Sequence, residues 1–343
     1  MRRILFVFKE NRQDPCLQAL KRWLPRTGHA IRQFEFTGAE RGRFECINGA
    51  PRFEAALRDW RPDLVFDWIG YLNEEEVHWC HAHGAKVLRA LNGFTSYNVG
   101  FIRSQPKTFE LLRAVDWYFV PHAPHVSVLR EHGVNAYEMP FFYDPAEYRP
   151  LAPPLRLFDI GAWDGFFAGG VAVAWGWNRK ALIERLGKEF RICLLADINP
   201  KLDGVSWYGA ITAPLVVNWM MNRSRVVLGS DFLPSVDSYH KMQDDIVLKY
   251  DVEYTIRSRV FSVMGSGRAF MVERHPEIER FFEDGKDIVL WSTLDEAADR
   301  MRFLIANPVE RERIARAGHE KVRRLHTAEV RLHEMLNVVK ASS

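Results

Sequence analysis

The chain has 343 residues, 47% hydrophobic and 27% charged, a balance that excludes a disordered or fibrous protein and leaves room for two domains of ordinary size. A formal net charge of +3 gives no case for a general nucleic-acid binder, so an anionic partner must be met locally. The four cysteines, Cys16, Cys46, Cys80 and Cys193, lack CxxC spacing, which argues against a disulfide framework and a four-thiolate zinc site and fits a reducing compartment.

The N-terminus, MRRILFVFKEN, has too short an apolar run before Lys9 for a signal-peptide core and reads as a buried strand over residues 1–8. A helix over Leu17 to Leu24, a strand over Ala30 to Phe36, a helix over Ala55 to Trp60 ending before Pro62, and a strand at Leu64 to Phe66 follow. Then come a helix from Glu75 to His83, a strand from Lys86 to Leu91, a helix from Phe109 to Ala114, a strand from Trp117 to Val120 and a helix from Val126 to His132. Near-continuous apolar strands alternating with helices predict a doubly wound, Rossmann-like parallel sheet.

The segment Glu138 to Pro154 carries five prolines and is the predicted domain boundary. After it the alternation restarts: strand Leu157 to Ile160, a glycine-rich loop, helix Arg179 to Leu186, strand Ile192 to Ala196, helix Val216 to Asn222 and strand Arg225 to Leu228. The run Leu157 to Trp177 contains Asp159, Asp164 and many glycines, which argues against a membrane span. The tail from Leu294 is helical, with Pro308 at a helix start and a last helix, Glu320 to Val339, expected to cross back to the first domain. The predicted fold class is thus α/β, with two Rossmann-like domains in tandem over 1–145 and 155–320 and a crossing helix within 321–343.

One segment is more informative than the rest. Phe261, Val263 and Met264 mark one face of a helix that stops at Gly265-Ser266-Gly267, and Ala269 to Val272 form a short buried strand before the polar loop at Glu273. With Arg259-Val260-Phe261-Ser262 before this turn and Phe282-Glu283-Asp284-Gly285-Lys286-Asp287-Ile288 after it, the stretch resembles the CgeB-like (spore-maturation type) glycosyltransferases. The resemblance is strongest from Asn222 to Arg331, moderate at Asp116 to Phe119 and Pro140 to Pro150, and confined to general layout over 1–110. Ser262 stands where the family usually has Glu.

The resemblance implies a GT-B architecture, a nucleotide diphosphate sugar as donor substrate, no permanently bound cofactor, and transfer to a hydroxyl acceptor in the interdomain cleft with retention of configuration. The acceptor is a glycan, small molecule, protein or lipid-linked hydroxyl; the first domain (1–145) is expected to bind it and the second (155–320) the donor. Absence of Asp-x-Asp fits transfer without a metal. Localisation is expected to be cytoplasmic, with peripheral membrane association as a variant.

Positive charge and helix N-termini are needed beside a diphosphate leaving group, so Arg179, Lys180 and Arg259 are the candidate phosphate contacts. Arg179 and Lys180 are equally an ordinary solvated helix start. Gly265 and Gly267 fit close approach of the nucleotide and, just as well, a plain helix C-cap. In relatives the Glu at position 262 holds the ribose; with Ser262 the ribose is held differently, by Glu253 or Glu273, or donor affinity is reduced. Ser262 and Glu273 are both placed near the nucleoside or sugar.

The run Trp163 to Trp177 sets aromatic rings among glycines, suitable for stacking on sugars or for core packing, and Asp164 is a candidate for sugar hydroxyls. Lys9, Glu10, Asn11, Asp67, Trp68 and Asn92 are the acceptor candidates at strand ends, or simple loop residues. His78, Cys80, His81 and His83 share a helix but fall on two faces, which disfavours a metal site. No catalytic base is nominated. Two other readings remain: transfer to a modified base in DNA, which needs a basic face and salt-sensitive binding, and a nucleotide- or sugar-binding protein without transfer.

Overall fold

The computed structural model describes residues 2–11, 14–36, 50–90, 106–151, 163–171, 177–211, 213–230 and 256–342. Among these the chain divides into two units, one of residues 2–141 with 328–342 and one of 142–327.

In the first unit, β1 (Arg3–Phe8) is buried from Ile4 onward because helices cover both faces of the sheet. It leads to α1 (Pro15–Trp23), whose start is set by Asp14: the carboxylate accepts from the amides of Cys16 at 2.9 Å and Leu17 at 3.1 Å, and Pro15 fills the first turn. The alternation continues through β2 (Ala30–Glu35), α2 (Ala50–Trp60), β3 (Leu64–Trp68), α3 (Glu74–Ala82), β4 (Lys86–Ala90), α4 (Pro106–Ala114), β5 (Trp117–Val120), α5 (Ala123–Glu131) and β6 (Ala136–Glu138). The order is β2-β1-β3-β4-β5-β6, all pairs parallel. Its core joins Leu5, Val65 and Val87 of the strands to Val77 and Leu129 of the helices.

Inside this core lies one ion pair. Arg89 Nε meets Asp67 Oδ2 at 2.8 Å with side chains 1% and 0% exposed, and Arg89 Nη2 donates to the Leu72 carbonyl at 2.5 Å. Asp67 also accepts from the amides of Tyr71 at 2.8 Å and Leu72 at 3.4 Å, so it is the staple of the turn after β3. Ile69 and Gly70 in that turn have φ of 74° and 84°.

The second unit begins with β7 (Trp163–Ala168) and proceeds through α6 (Trp177–Gly187), β8 (Ile192–Leu195), β9 (Val205–Trp207), α7 (Pro214–Asn222), β10 (Ser224–Leu228), α8 (Ser258–Gly265), β11 (Ala269–Glu273), α9 (Pro276–Glu279), β12 (Val289–Trp291), α10 (Leu294–Ala306) and α11 (Pro308–Leu325). The order β12-β11-β10-β7-β8-β9, again all parallel, is the classic doubly wound arrangement: the chain builds outward from β7 to β9, then returns to the other side of β7 to build β10 to β12. The strand expected at Leu157 to Ile160 lies outside the described residues, while the run expected to be a loop forms β7. Phe166 and Phe167 are fully buried there, so core packing claims these two aromatics, while Trp163 is half-buried.

The single helix expected from Glu320 to Val339 is broken. His326 stacks on Phe261 with centroids 4.5 Å apart, its carbonyl accepts from the Tyr143 amide at 3.0 Å, and Thr327 pairs with Tyr143. A separate helix, α12 (Ala328–Ala341), then joins the first unit and packs on α1. No described helix is long and apolar enough to cross a membrane.

Candidate functional site

In the second sheet β7 and β10 are neighbours whose connections leave in opposite directions, so a crevice opens above their carboxyl ends. Gly169, directly after β7, has φ of 150° and donates its amide to the Leu195 carbonyl at 2.9 Å. A β-carbon built on it would lie 2.8 Å from Arg259 Nη1 and 2.9 Å from Nη2. Only glycine lets a guanidinium lie on this backbone. The Arg259 guanidinium also lies over the Phe167 ring, with Cζ 5.8 Å from the ring centroid. One peptide on, the Gly170 carbonyl accepts from Arg179 Nη1 at 3.1 Å, and Val171 donates its amide to Asp197 Oδ1 at 3.2 Å.

On the β10 side, Gly229 donates to the Met271 carbonyl at 2.8 Å, and a β-carbon there would lie 2.4 Å from Phe270 Cζ. The chain tip is held down on its neighbour. Ser230 is buried and its hydroxyl donates to Glu273 Oε2, at the end of β11, at 3.0 Å. Because α8 feeds β11, its N-terminus rises at this same carboxyl edge; Arg257 caps it in extended conformation with no side-chain bond to the first amides. The edge therefore combines Arg179, Arg259 and the Arg257 cap of a helix N-terminus with bare glycine backbone and the carboxylates of Asp197 and Glu273, a set suited to an anion carrying hydroxyl groups.

Residues 179–337 match the family model described as glycosyl transferase-like. No curated protein matches the sequence. Among solved structures, sucrose-phosphate synthase from Thermosynechococcus elongatus is similar over 100% of both chains, with TM-score 0.67 and 12% identity. The Anabaena HepE structure in complex with UDP and glucose is similar over 99% of this chain and 100% of its own, with TM-score 0.64 and 11% identity. The α,α-trehalose-phosphate synthase (UDP-forming) from Burkholderia vietnamiensis gives 99% and 100% coverage, TM-score 0.64 and 10% identity. At these identities the likeness establishes the fold, which is GT-B.

Within residues 179–337 the structure places Arg179, Arg259 and Glu273 at the carboxyl edge of the second sheet. Lys180 is exposed, while its neighbour Arg179 is buried at 5%. Ser262, one turn into α8, is buried and donates its hydroxyl to the Ser258 carbonyl at 3.2 Å, closing a bond within its own helix. Gly265 and Gly267 lie at the other end of α8, away from the edge. A β-carbon on Gly265 would sit 2.4 Å from the Tyr143 ring, and one on Gly267, whose φ is 72°, would sit 2.7 Å from Pro150 Cγ. The packing of the 142–151 segment accounts for both. Gly265→Ala is expected to cost about 1–3 kcal/mol by overpacking while leaving nucleotide affinity of the folded protein within about twofold, read by thermal unfolding and calorimetry.

Asp164 is not available to a sugar. It sits near the amino end of β7, where it accepts from Arg225 Nη1 at 2.9 Å and from the Arg191 amide at 3.0 Å. Residues 172–176, the Trp177 side chain and Glu253 lie outside the described residues. In the first unit Asp67 is consumed by Arg89, and the Trp68 indole donates to the capping Asp14 at 2.9 Å, so both are structural. Glu10 accepts from Gln18 at 2.8 Å and pairs with Lys21; the Asn11 carbonyl accepts from Gln18 at 3.1 Å; Lys9 is half-buried beside them. Asn92 lies outside the described residues. Cys80 is in the core, where burial raises its thiol pKa, and burial likewise pushes Cys193 up to about 12. His81 bonds Asp116 at 2.9 Å and His83 bonds the Trp79 carbonyl at 2.8 Å. Among the described residues no group of three or more His, Cys, Asp or Glu could hold a metal ion.

Sequence reasoning did not single out Ser230, Gly229 or Asp197. The available signal was positional: each lies within two residues of the end of an apolar strand whose carboxyl end borders the crevice.

Proposed function

We propose that this protein transfers a sugar from a nucleotide diphosphate donor to a hydroxyl acceptor, as a CgeB-like glycosyltransferase. The observation that carries the reading is the Arg259 guanidinium lying on Gly169 at the β7–β10 switch point, with Arg179 bonded to the next peptide. Bond breaking leaves a nucleoside diphosphate with added negative charge on its terminal oxygen, and two guanidiniums with the α8 N-terminus would stabilise that charge more than the ground state. UDP is the favoured carrier, since HepE is in complex with UDP and glucose and the Burkholderia synthase is UDP-forming.

Retention of configuration belongs to this reading. The departing phosphate oxygen can take the acceptor's proton on the same face, which explains why no protein base is assigned. Cationic side chains would also do the work of a metal, so EDTA at excess is expected to leave the transfer rate within about twofold in a donor-hydrolysis assay. The first domain is assigned the acceptor, and the acceptor class stays at hydroxyl compounds. The test is a calorimetric panel of UDP, GDP, ADP, TDP and CMP with their common sugar conjugates. One tight carrier whose sugar is released to an acceptor supports the proposal; no binding by any member contradicts it. The commitment of Ser262 to its own helix favours one alternative, a nucleotide-sugar-binding protein without transfer, distinguished by a donor that binds and is never turned over.

A further inference from the structure

The outward face of α11 takes no part in the core or at the carboxyl edge. Its inner stripe is fixed: Ile314, Ala315, Gly318 and Val322 are buried, and a β-carbon on Gly318 would lie 2.4 Å from the Asp287 carbonyl oxygen. The opposite stripe consists of Val309, Arg313, Arg316, Glu320 and Arg323, in alternating steps of four and three residues; all are exposed, as is Arg324 beside them. We infer that this stripe docks the protein on an anionic lipid surface. The inference stands independently of the donor reading.

Charge, shape and apolar exposure carry it. Arg316, Arg323 and Arg324 form no hydrogen bond or ion pair among the described residues, so three guanidiniums stand against the single carboxylate of Glu320 on this stripe. The neighbouring cations are already neutralised: Arg313 by Glu310 at 2.5 Å, Lys286 by Glu283 at 2.7 Å and Lys321 by Asp287 at 2.6 Å. Arg323 and Arg324 suit the negative end of the helix dipole, but Arg316 stands at mid-helix, where the dipole gives no reason for it. From Val309 to Arg324 the stripe runs about 20 Å, so its charges are spread along a line instead of gathered around one point, which fits a charged plane better than a free phosphate. Two clefts flank it, about 510 Å³ beside Arg313 and Arg316 and about 640 Å³ beside Arg323 and Arg324, with room for phospholipid headgroups. Phe303, 49% exposed, and Val309, 84% exposed, flank the turn from α10 to α11 and supply apolar contact at the start of the stripe. Basic charge together with apolar contact is the pair of signals that lasting surface association needs. Arg313 and Lys321 bond to residues 285–287, which precede β12 at the amino edge of the second sheet, the end opposite the donor crevice.

The experiment is co-sedimentation of the full chain with vesicles of phosphatidylcholine alone and of phosphatidylcholine with about one third phosphatidylglycerol, at low and at physiological salt. Wild type is expected to bind the anionic vesicles and not the neutral ones, more weakly at the higher salt. Arg316→Gln/Arg323→Gln/Arg324→Gln is expected to lower the partition coefficient about 100-fold, about 5-fold for each guanidinium removed. Val309→Ser should lower it about 5-fold at both salt levels, because its part is apolar and unscreened. A control, Lys188→Gln/Lys201→Gln/Lys340→Gln, removes the same three charges from other elements and should stay within about 3-fold of wild type. Thermal unfolding of each variant within a few degrees of wild type shows that the fold is intact. Equal losses in the two triple variants would overturn the inference by reducing it to bulk charge, and failure of wild type to bind anionic vesicles would overturn it outright. Saturable binding of inorganic phosphate or glucose 6-phosphate without vesicle binding would also overturn it and leave the clefts to a free phosphate.

Discussion

Arg259→Ala is expected to weaken binding of the nucleoside diphosphate by about 100-fold, equivalent to about 2.7 kcal/mol. A planar guanidinium bonded to two phosphate oxygens supplies two charge-assisted contacts, each stronger than a neutral hydrogen bond. Arg259 is prepared for this by the absence of a side chain at Gly169 and by the Phe167 ring, so little ordering is left for the moment of binding. Arg259→Lys keeps the charge and loses the fork, and is expected to recover about 10-fold of the loss. Lys180→Ala, at an exposed position, is expected to change affinity by less than about 3-fold. Calorimetry on the three variants checks the order. The fold itself should lose about 1 kcal/mol in Arg259→Ala, because the side chain is half-buried at the edge of the sheet and outside its core.

The second large effect lies in the first unit. Arg89→Leu is expected to cost about 3–5 kcal/mol, because it strands the fully buried Asp67 carboxylate without its cation. Removing both charges in Asp67→Leu/Arg89→Leu should recover part of that loss, since the penalty comes from an uncompensated ion more than from the missing attraction. Chemical denaturation of both variants against wild type reads the difference. The double variant should still lose ordering of the turn after β3, where Asp67 holds the amides of Tyr71 and Leu72.

The fold was readable where burial is periodic. The helix at Arg259 to Gly265 and the strand at Ala269 to Val272 were visible because an apolar face is followed by an uninterrupted apolar run, and those residues are buried as the pattern requires. β7 was not, because WDGFFA interrupts its apolar residues with Asp164 and Gly165. The reason is tertiary: Asp164 serves Arg225 and Arg191, and a β-carbon on Gly165 would lie 2.7 Å from Ile192 Cδ1. The break between α11 and α12 was hidden as well, since helical periodicity continues through His326 and Thr327. It is made by contacts to Phe261 and Tyr143, distant in sequence.

The candidate site was legible in its charges and less so in its hydroxyl-bearing partners. Arg179 and Arg259 stood out as cations at helix starts, and both reach the glycines after β7. Gly265 and Gly267 looked like nucleotide contacts because a G-x-G pair has the same spelling in a phosphate loop and in a helix ending; the rings of Tyr143 and Pro150 decide between them. A lone serine after a strand, such as Ser230, carries no signal until the neighbouring strand is known.

Hydrogen exchange with and without UDP-glucose tests the central claim most directly. Slowed exchange confined to amides of 169–171, 229–230 and 258–262 is the predicted result, because these line the carboxyl edge at β7, β10 and the start of α8. Slowed exchange at 265–268 with none at 169–171 would contradict it and move the donor to the opposite end of the sheet.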